Sequence, residues 1–127
     1  MNRAKWLTLL TLIAGGGVSA QTVSSVMVGT TPIGAVFSVD GTNYTSTQTF
    51  LWAQGSVHVI SFSFTLDING NSTGYQQSVN GAQEFAFGGW DVNGVALQGG
   101  ASTVTVTADP SVTQIIATLQ ESYLVQV

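Results

Sequence analysis

Between Val36 and Phe64 the chain reads VFSVDGTNYTSTQTFLWAQGSVHVISFSF, and apolar and polar residues alternate in it with a period of two. That period belongs to strands with one buried face. Phe37 and Val39 share a face. Asp40-Gly41 then closes a tight hairpin, because glycine accepts the positive φ that such a turn needs. Tyr44-Thr45 forms a short return, and Thr49 to Ala53 is a strand with apolar residues on both sides, the mark of a central position. After Gln54-Gly55, the longest run, Ser56 to Leu66, puts His58, Ile60, Phe62, Phe64 and Leu66 on one face and Val59, Ser61, Ser63 and Thr65 on the other.

The remaining chain repeats this pattern around the organising stretch. Gln21 to Gly29 is a first strand, stopped by Thr31-Pro32 since proline donates nothing to a ladder. Asp67 to Gly74 is a loop, Tyr75 to Asn80 an edge strand, and Glu84 to Trp90 a strand with Phe85 and Phe87 inward and Gly88-Gly89 letting Trp90 approach closely. Asp91 to Ala101 is a second glycine-rich loop with a short strand at Val95 to Leu97. Thr103, Thr105 and Thr107 face solvent opposite Val104 and Val106, and the last strand, from Thr113, points Ile115, Ala117 and Leu119 one way. No segment past the first twenty residues has helical periodicity. Seven or eight short strands predict an all-β fold, a two-sheet antiparallel β-sandwich of Ig-like kind.

The first twenty residues carry the three parts of a cleavable signal peptide in order. Arg3 and Lys5 precede an apolar core, Trp6 to Ala14, and Val18-Ser19-Ala20 offers a small-x-small cleavage site. This apolar core is shorter than the roughly 20 residues of a membrane span. The expected organisation is a signal peptide at 1–20 and one domain at 21–127, in which 121–127 serves as a linker or an edge strand. Secretion or display on a cell surface follows, with the periplasm as the other destination.

Composition then narrows the partners. Beyond the signal there are six carboxylates (Asp40, Asp67, Glu84, Asp91, Asp109, Glu121) and no lysine or arginine, hence a formal charge of −6. Nucleic acid is excluded as a partner, because affinity for it comes from cations laid against phosphates. An anionic membrane surface is excluded in the same way. With no cysteine in the sequence, stability rests on β packing without disulfides.

The stretch Gly34-Ala35, Phe37-Ser38-Val39-Asp40-Gly41, Thr47 to Phe50, and Gly55 followed by His58 and Ile60 resembles the PEGA family and related Ig-like repeats of bacterial surface proteins. The family pattern has Gly-Ala, a strand ending in Val-Asp-Gly, Thr-Pro before the next strand, and Gly-x-His before the long one. Thr47-Gln48 departs from it at the Thr-Pro turn. The later FAFGGWDVNG and VTVTADPSVTQIIATLQESYLV look like the second half of long-repeat surface proteins, with a Gly-Trp turn before two final strands. The resemblance covers most of 28–125. It implies a secreted or cell-surface, PEGA-like bacterial module of structural or adhesive use, with no activity and no functional residue set to transfer. Such proteins continue beyond the position of Val127, so it also implies a lone module or a truncated reading frame.

Residues that could carry chemistry are few. His58, the sole histidine, would have to serve any Ser-His-Asp relay, and its place among Ile60 and Phe62 predicts a core or sheet-rim histidine bonded to a neighbouring backbone group or hydroxyl. Gly70-Asn71-Ser72-Thr73-Gly74 matches the G-x-S-x-G nucleophile elbow, but no helix follows it, so it reads as a loop. Asp67, Asn69 and Asn71 present the oxygen ligands with which a calcium loop begins, without the glycine and terminal acid of an EF-hand. A looser calcium site would add Asp91 and Asn93, or Asp40 or Asp109. No other cofactor is expected. Trp90 and Tyr75 are candidates for stacking on a sugar ring.

With carboxylates as the remaining chemistry and little room for a cleft between two of them, an enzyme is not expected. A non-enzymatic structural or adhesive module is the leading expectation, with other surface modules, protein or glycan, as its partners. A carbohydrate- or calcium-binding extracellular domain is the alternative.

Overall fold

The computed structural model describes residues 22–78 and 80–123. The expected signal peptide at 1–20, and the part of the expected linker at 124–127, lie outside the described residues. Ten strands run through the described chain: β1 (Val23–Thr31), β2 (Phe37–Val39), β3 (Thr42–Tyr44), β4 (Gln48–Ala53), β5 (Val57–Phe62), β6 (Tyr75–Gln77), β7 (Gln83–Val92), β8 (Val95–Ala96), β9 (Thr103–Thr107) and β10 (Gln114–Tyr123). They form two sheets. The larger is ordered β4-β1-β10-β7-β6, with β8 beside the far end of β7, and the smaller is ordered β3-β2-β5-β9.

Period-two alternation decides what each strand buries. From the larger sheet Val26, Val28, Ile115, Ala117, Phe85 and Trp90 point inward, and from the smaller Phe37, Val39, Ile60, Phe62 and Val106 meet them in one core. The all-β, two-sheet expectation therefore holds. Its wholly antiparallel form does not: β1 runs parallel to β10, pairing Met27 with Gln114 and Thr31 with Thr118. Alternation fixes the face of a strand and says nothing of its direction, and a parallel neighbour needs a long crossover, which here is most of the chain.

Three further expectations change. Thr49 to Ala53 belongs to β4, which is an edge strand rather than a central one, since its outward Leu51 is 71% exposed. The run from Ser56 does not continue to Leu66. It leaves the sheet after Phe62, because Thr65 N–H bonds the Tyr75 carbonyl and Thr73 N–H bonds the Thr65 carbonyl, folding 65–75 back on itself. The strand count rises to ten because the short returns β3 and β8 pair as strands of their own.

One irregularity positions the core. The pairing of β7 with β10 slips at Gly88, where Phe87 faces Leu119 and Gly89 faces Thr118. This bulge shifts the parity of β7, so Phe85 and Phe87 before it and Trp90 and Val92 after it reach the same interior. A Cβ on Gly88 would sit 2.9 Å from the Thr118 carbonyl oxygen, and Gly89 has φ +132°. Glycine is needed at both.

Candidate functional site

The β4–β5 turn brings together the only constellation of nucleophile, base and acid among the described residues. Ser56 and His58 are two apart at the start of β5 and so share a face. Pairing of β2 with β5, Val39 opposite Ile60, lays the Asp40-Gly41 hairpin beside them. His58 Nε2 lies 2.7 Å from Ser56 Oγ. On its other side, His58 Nδ1 lies 2.7 Å from Asp40 Oδ2. Asp40 Oδ1 accepts the Val59 N–H at 2.9 Å. The imidazole stacks on Trp52 with ring centroids 3.9 Å apart and planes 10° from parallel.

This is the connectivity of a Ser-His-Asp triad, but the surroundings divert it. A nucleophilic serine must be able to give its proton to the imidazole. Here the Ser56 hydroxyl donates to the Ala53 carbonyl at 2.6 Å, so its single proton has a competing acceptor. An oxyanion hole requires backbone N–H groups free to meet developing charge. Two near the hydroxyl are committed, Ser56 N–H to the Ala53 carbonyl and Gly55 N–H to the Ala108 carbonyl. The chain Asp40–His58–Ser56–Ala53 thus spans from the smaller sheet to the end of β4 as a strut.

Electrostatics agree with this geometry. The hydrogen bond from His58 holds the Asp40 carboxyl below its ordinary value, and the Val59 N–H and the charge of His58 add to it. Beneath the strut, the rings Phe37, Tyr44, Phe50, Trp52 and His58 touch in sequence and close one flank of the two sheets.

The expected histidine at the sheet rim bonded to a hydroxyl is what His58 is. Ser56 and Asp40 were not expected with it. The i, i+2 spacing in Ser-Val-His was a usable signal for Ser56, whereas Asp40 depends on which strands pair.

The other candidates fall in separate places. Trp90 is 1% exposed, with its indole N–H donated to the Ser102 carbonyl at 2.9 Å, so it offers no ring face to a sugar and is a core residue. Tyr75 lies half-buried on β6 and pairs with Ala86 on the outer face, opposite to the side on which Trp90 points. Asp67 Oδ1 accepts the N–H groups of Asn69 and Asn71, so it organises its own turn. Asp91 and Asn93 lie at the other end of β7 from the strand that follows this loop. Asn93 Oδ1 accepts from Thr113 and Gln114, and Asp109 Oδ1 accepts both the N–H and hydroxyl of Ser111. That turn holds the Asp109 carboxyl below its ordinary value. Among the described residues no group of three His, Cys, Asp or Glu side chains comes together to hold a metal.

Sequence reasoning also missed Gln76, which is 7% exposed. Its Oε1 accepts the Val36 N–H at 2.6 Å, and its Nε2 donates to the carbonyls of Val36 at 2.9 Å and Ser63 at 2.8 Å. One side chain thereby ties β6 in the larger sheet to the start of β2 and the end of β5, which lie side by side at one end of the smaller sheet. A groove of about 220 Å³ on the outer face of the larger sheet was likewise unforeseen; it is lined by Thr31, Asp91, Gly94, Gln114, Ile116 and Thr118.

No family model, no curated protein and no solved structure matches the chain.

Proposed function

We propose that this chain is a non-enzymatic module of PEGA-like, Ig-like β-sandwich kind, secreted or displayed on a cell surface, with a structural or adhesive role. The observation that carries the reading is the strut. The sole histidine is bonded on both nitrogens, and the hydroxyl beside it donates to a backbone carbonyl while the N–H groups of Ser56 and Gly55 are bonded to carbonyls. Polar groups of this chain bind the chain itself. Its outer surfaces agree: β5 and β9 present Val57, Val59, Ser61, Thr103, Thr105 and Thr107 to solvent, an uncharged, strand-ordered face suited to contact rather than catalysis.

Labelling of the native protein with a fluorophosphonate probe tests this reading. No adduct at Ser56 is expected above that of the Ser56→Ala variant. A Ser56 adduct that disappears in His58→Ala would replace the module with a serine hydrolase.

A second reading, a carbohydrate-binding domain, is favoured by the groove over Ile116. Asp91 and Gln114 can hydrogen-bond sugar hydroxyls there, as can Thr31 and Thr118, around an apolar floor, and the volume suits one compact ring. Asp91→Asn should weaken glycan retention roughly tenfold or more if that reading is right, as expected for a lost charge-assisted hydrogen bond; unchanged retention removes it.

A further inference from the structure

The seam between β1 and β10 is staggered, and the two ends of the stagger complement each other. Pairing begins at Met27 opposite Gln114 and ends at Thr31 opposite Thr118. Val23 to Val26 therefore project beyond the start of β10, and Leu119 to Tyr123 project beyond the end of β1. Each projection is held on its other flank, Val23 to Val26 by β4 and Leu119 to Tyr123 by β7. Among the described residues neither has a strand on the seam side.

Backbone directions can be read from the bonds around the seam. Thr22 C=O accepts Gln54 N–H on the β4 side, and Met27 N–H donates to Thr113 C=O on the β10 side. Alternation then turns the N–H and C=O groups of Val23 and Ser25 toward the open side. On β10, Thr113 C=O faces β1 and Gln114 C=O faces β7 through Asn93 N–H. The Leu119 carbonyl, and both backbone groups of Glu121 and Tyr123, accordingly turn toward the open side as well.

We infer that two copies of this chain join head to tail, the Val23–Val26 end of β1 in one copy pairing in parallel with the Leu119–Tyr123 end of β10 in the next. The pairing continues the pattern within the chain. Val23 N–H meets the Leu119 carbonyl of the neighbouring copy, and Glu121 N–H meets the Val23 carbonyl. Ser25 N–H then meets the Glu121 carbonyl, and Tyr123 N–H the Ser25 carbonyl. In this register Ser24 lies opposite Glu121 and Val26 opposite Tyr123, inward residues facing inward residues, so the sheet keeps its faces across the joint. The exposed Val23 and Tyr123 are partly covered.

A second copy is the fitting occupant because both open segments belong to one seam and share its parallel sense, hydrogen-bond phase and face parity. The contact is heterologous, so it builds rings or open chains and not a two-fold dimer. Its few strand pairs make it weak for free molecules and effective for molecules held close together on a surface. The inference rests on the structural-module reading and names the partner.

Sedimentation over a wide concentration range tests it. The weight-average mass of the wild-type protein should rise with concentration without levelling at a dimer. Ser25→Pro and Glu121→Pro each remove an N–H that faces the open side, where proline costs the ladder no bond; Glu121→Pro also gives up the Gln83 side-chain bond to the Glu121 carboxylate. Each variant alone should associate roughly tenfold or more weakly. Mixed together, they should form one-to-one dimers and nothing larger, because one retains the tail and the other the head. In the wild type, amide exchange at Val23, Ser25, Glu121 and Tyr123 should slow as concentration rises, a readout that needs no variant to fold. A wild-type protein that stays monomeric at millimolar concentration, or association that both prolines leave unchanged, overturns the inference; so does a wild-type mass that levels at the dimer, or tight pairing with an unrelated extended peptide in preference to a second copy. A monomeric protein that also shows no Ser56 labelling ends the head-to-tail contact alone, and Ser56 labelling ends the module reading.

Discussion

Two polar assemblies link the sheets, and they do so by different physics. Gln76 is nearly buried, neutral, and makes its three hydrogen bonds to backbone groups. The Asp40–His58–Ser56 strut is ionisable and half-open, with side-chain exposures of 15% at His58 and 47% at Asp40. A buried amide matched to backbone groups leaves them unsatisfied when it is lost, whereas water can replace much of what an exposed pair supplies. The histidine attracts attention by resembling a catalytic group, yet the glutamine should matter more to the fold.

Breaking the comparison at its larger end, Gln76→Leu should cost about 2–3 kcal/mol in urea unfolding. The loss should be the same at all pH values where the protein folds, since no titrating group is involved. His58→Ala comes next, at about 1–2 kcal/mol, through the lost stack on Trp52 and two hydrogen bonds. If His58→Ala proves costlier than Gln76→Leu, the ranking by burial is wrong. Asp40→Asn should cost less than about 1 kcal/mol at neutral pH, as exposed ion pairs do. Ser56→Ala should fall smallest, within about 0.5 kcal/mol, because Ser56 N–H keeps its bond to the Ala53 carbonyl.

The two assemblies also differ in what the sequence showed of them. Alternation placed Phe37, Ile60, Phe62, Ile115 and Ala117 on the core side, and Asp40-Gly41 marked its hairpin, where Asp40 has φ 51° and Gly41 φ 85°. These are local properties, fixed by a strand's period and a turn's backbone. Strand partners are not local. Nothing in LWAQG announces an edge strand, and nothing in YQQ separates Gln76, pinned between sheets, from the exposed Gln77 beside it except the parity of a three-residue strand. Trp90 misled for a related reason. Its Gly-Gly approach was visible as closeness, but the bulge that turns it inward depends on Thr118 across the ladder.

Asp40 offers the most direct test that the triad-like chain is a strut. Its carboxyl is held below the ordinary value of 3.8 in the folded protein, first by the His58 hydrogen bond. A depressed folded value contributes stability above the unfolded value and loses it as pH falls through the folded one. Unfolding free energy of the wild-type protein should therefore fall on acidification below pH 3.8. In Asp40→Asn that decline should be shallower, with the remainder owed to Asp109, whose carboxyl is held low by Ser111. The measurement to make is this pair of pH profiles by urea unfolding. Profiles that diverge at neutral pH and converge in acid support the strut. Parallel profiles would mean that the Asp40–His58 contact contributes nothing to the folded state, and would contradict the account.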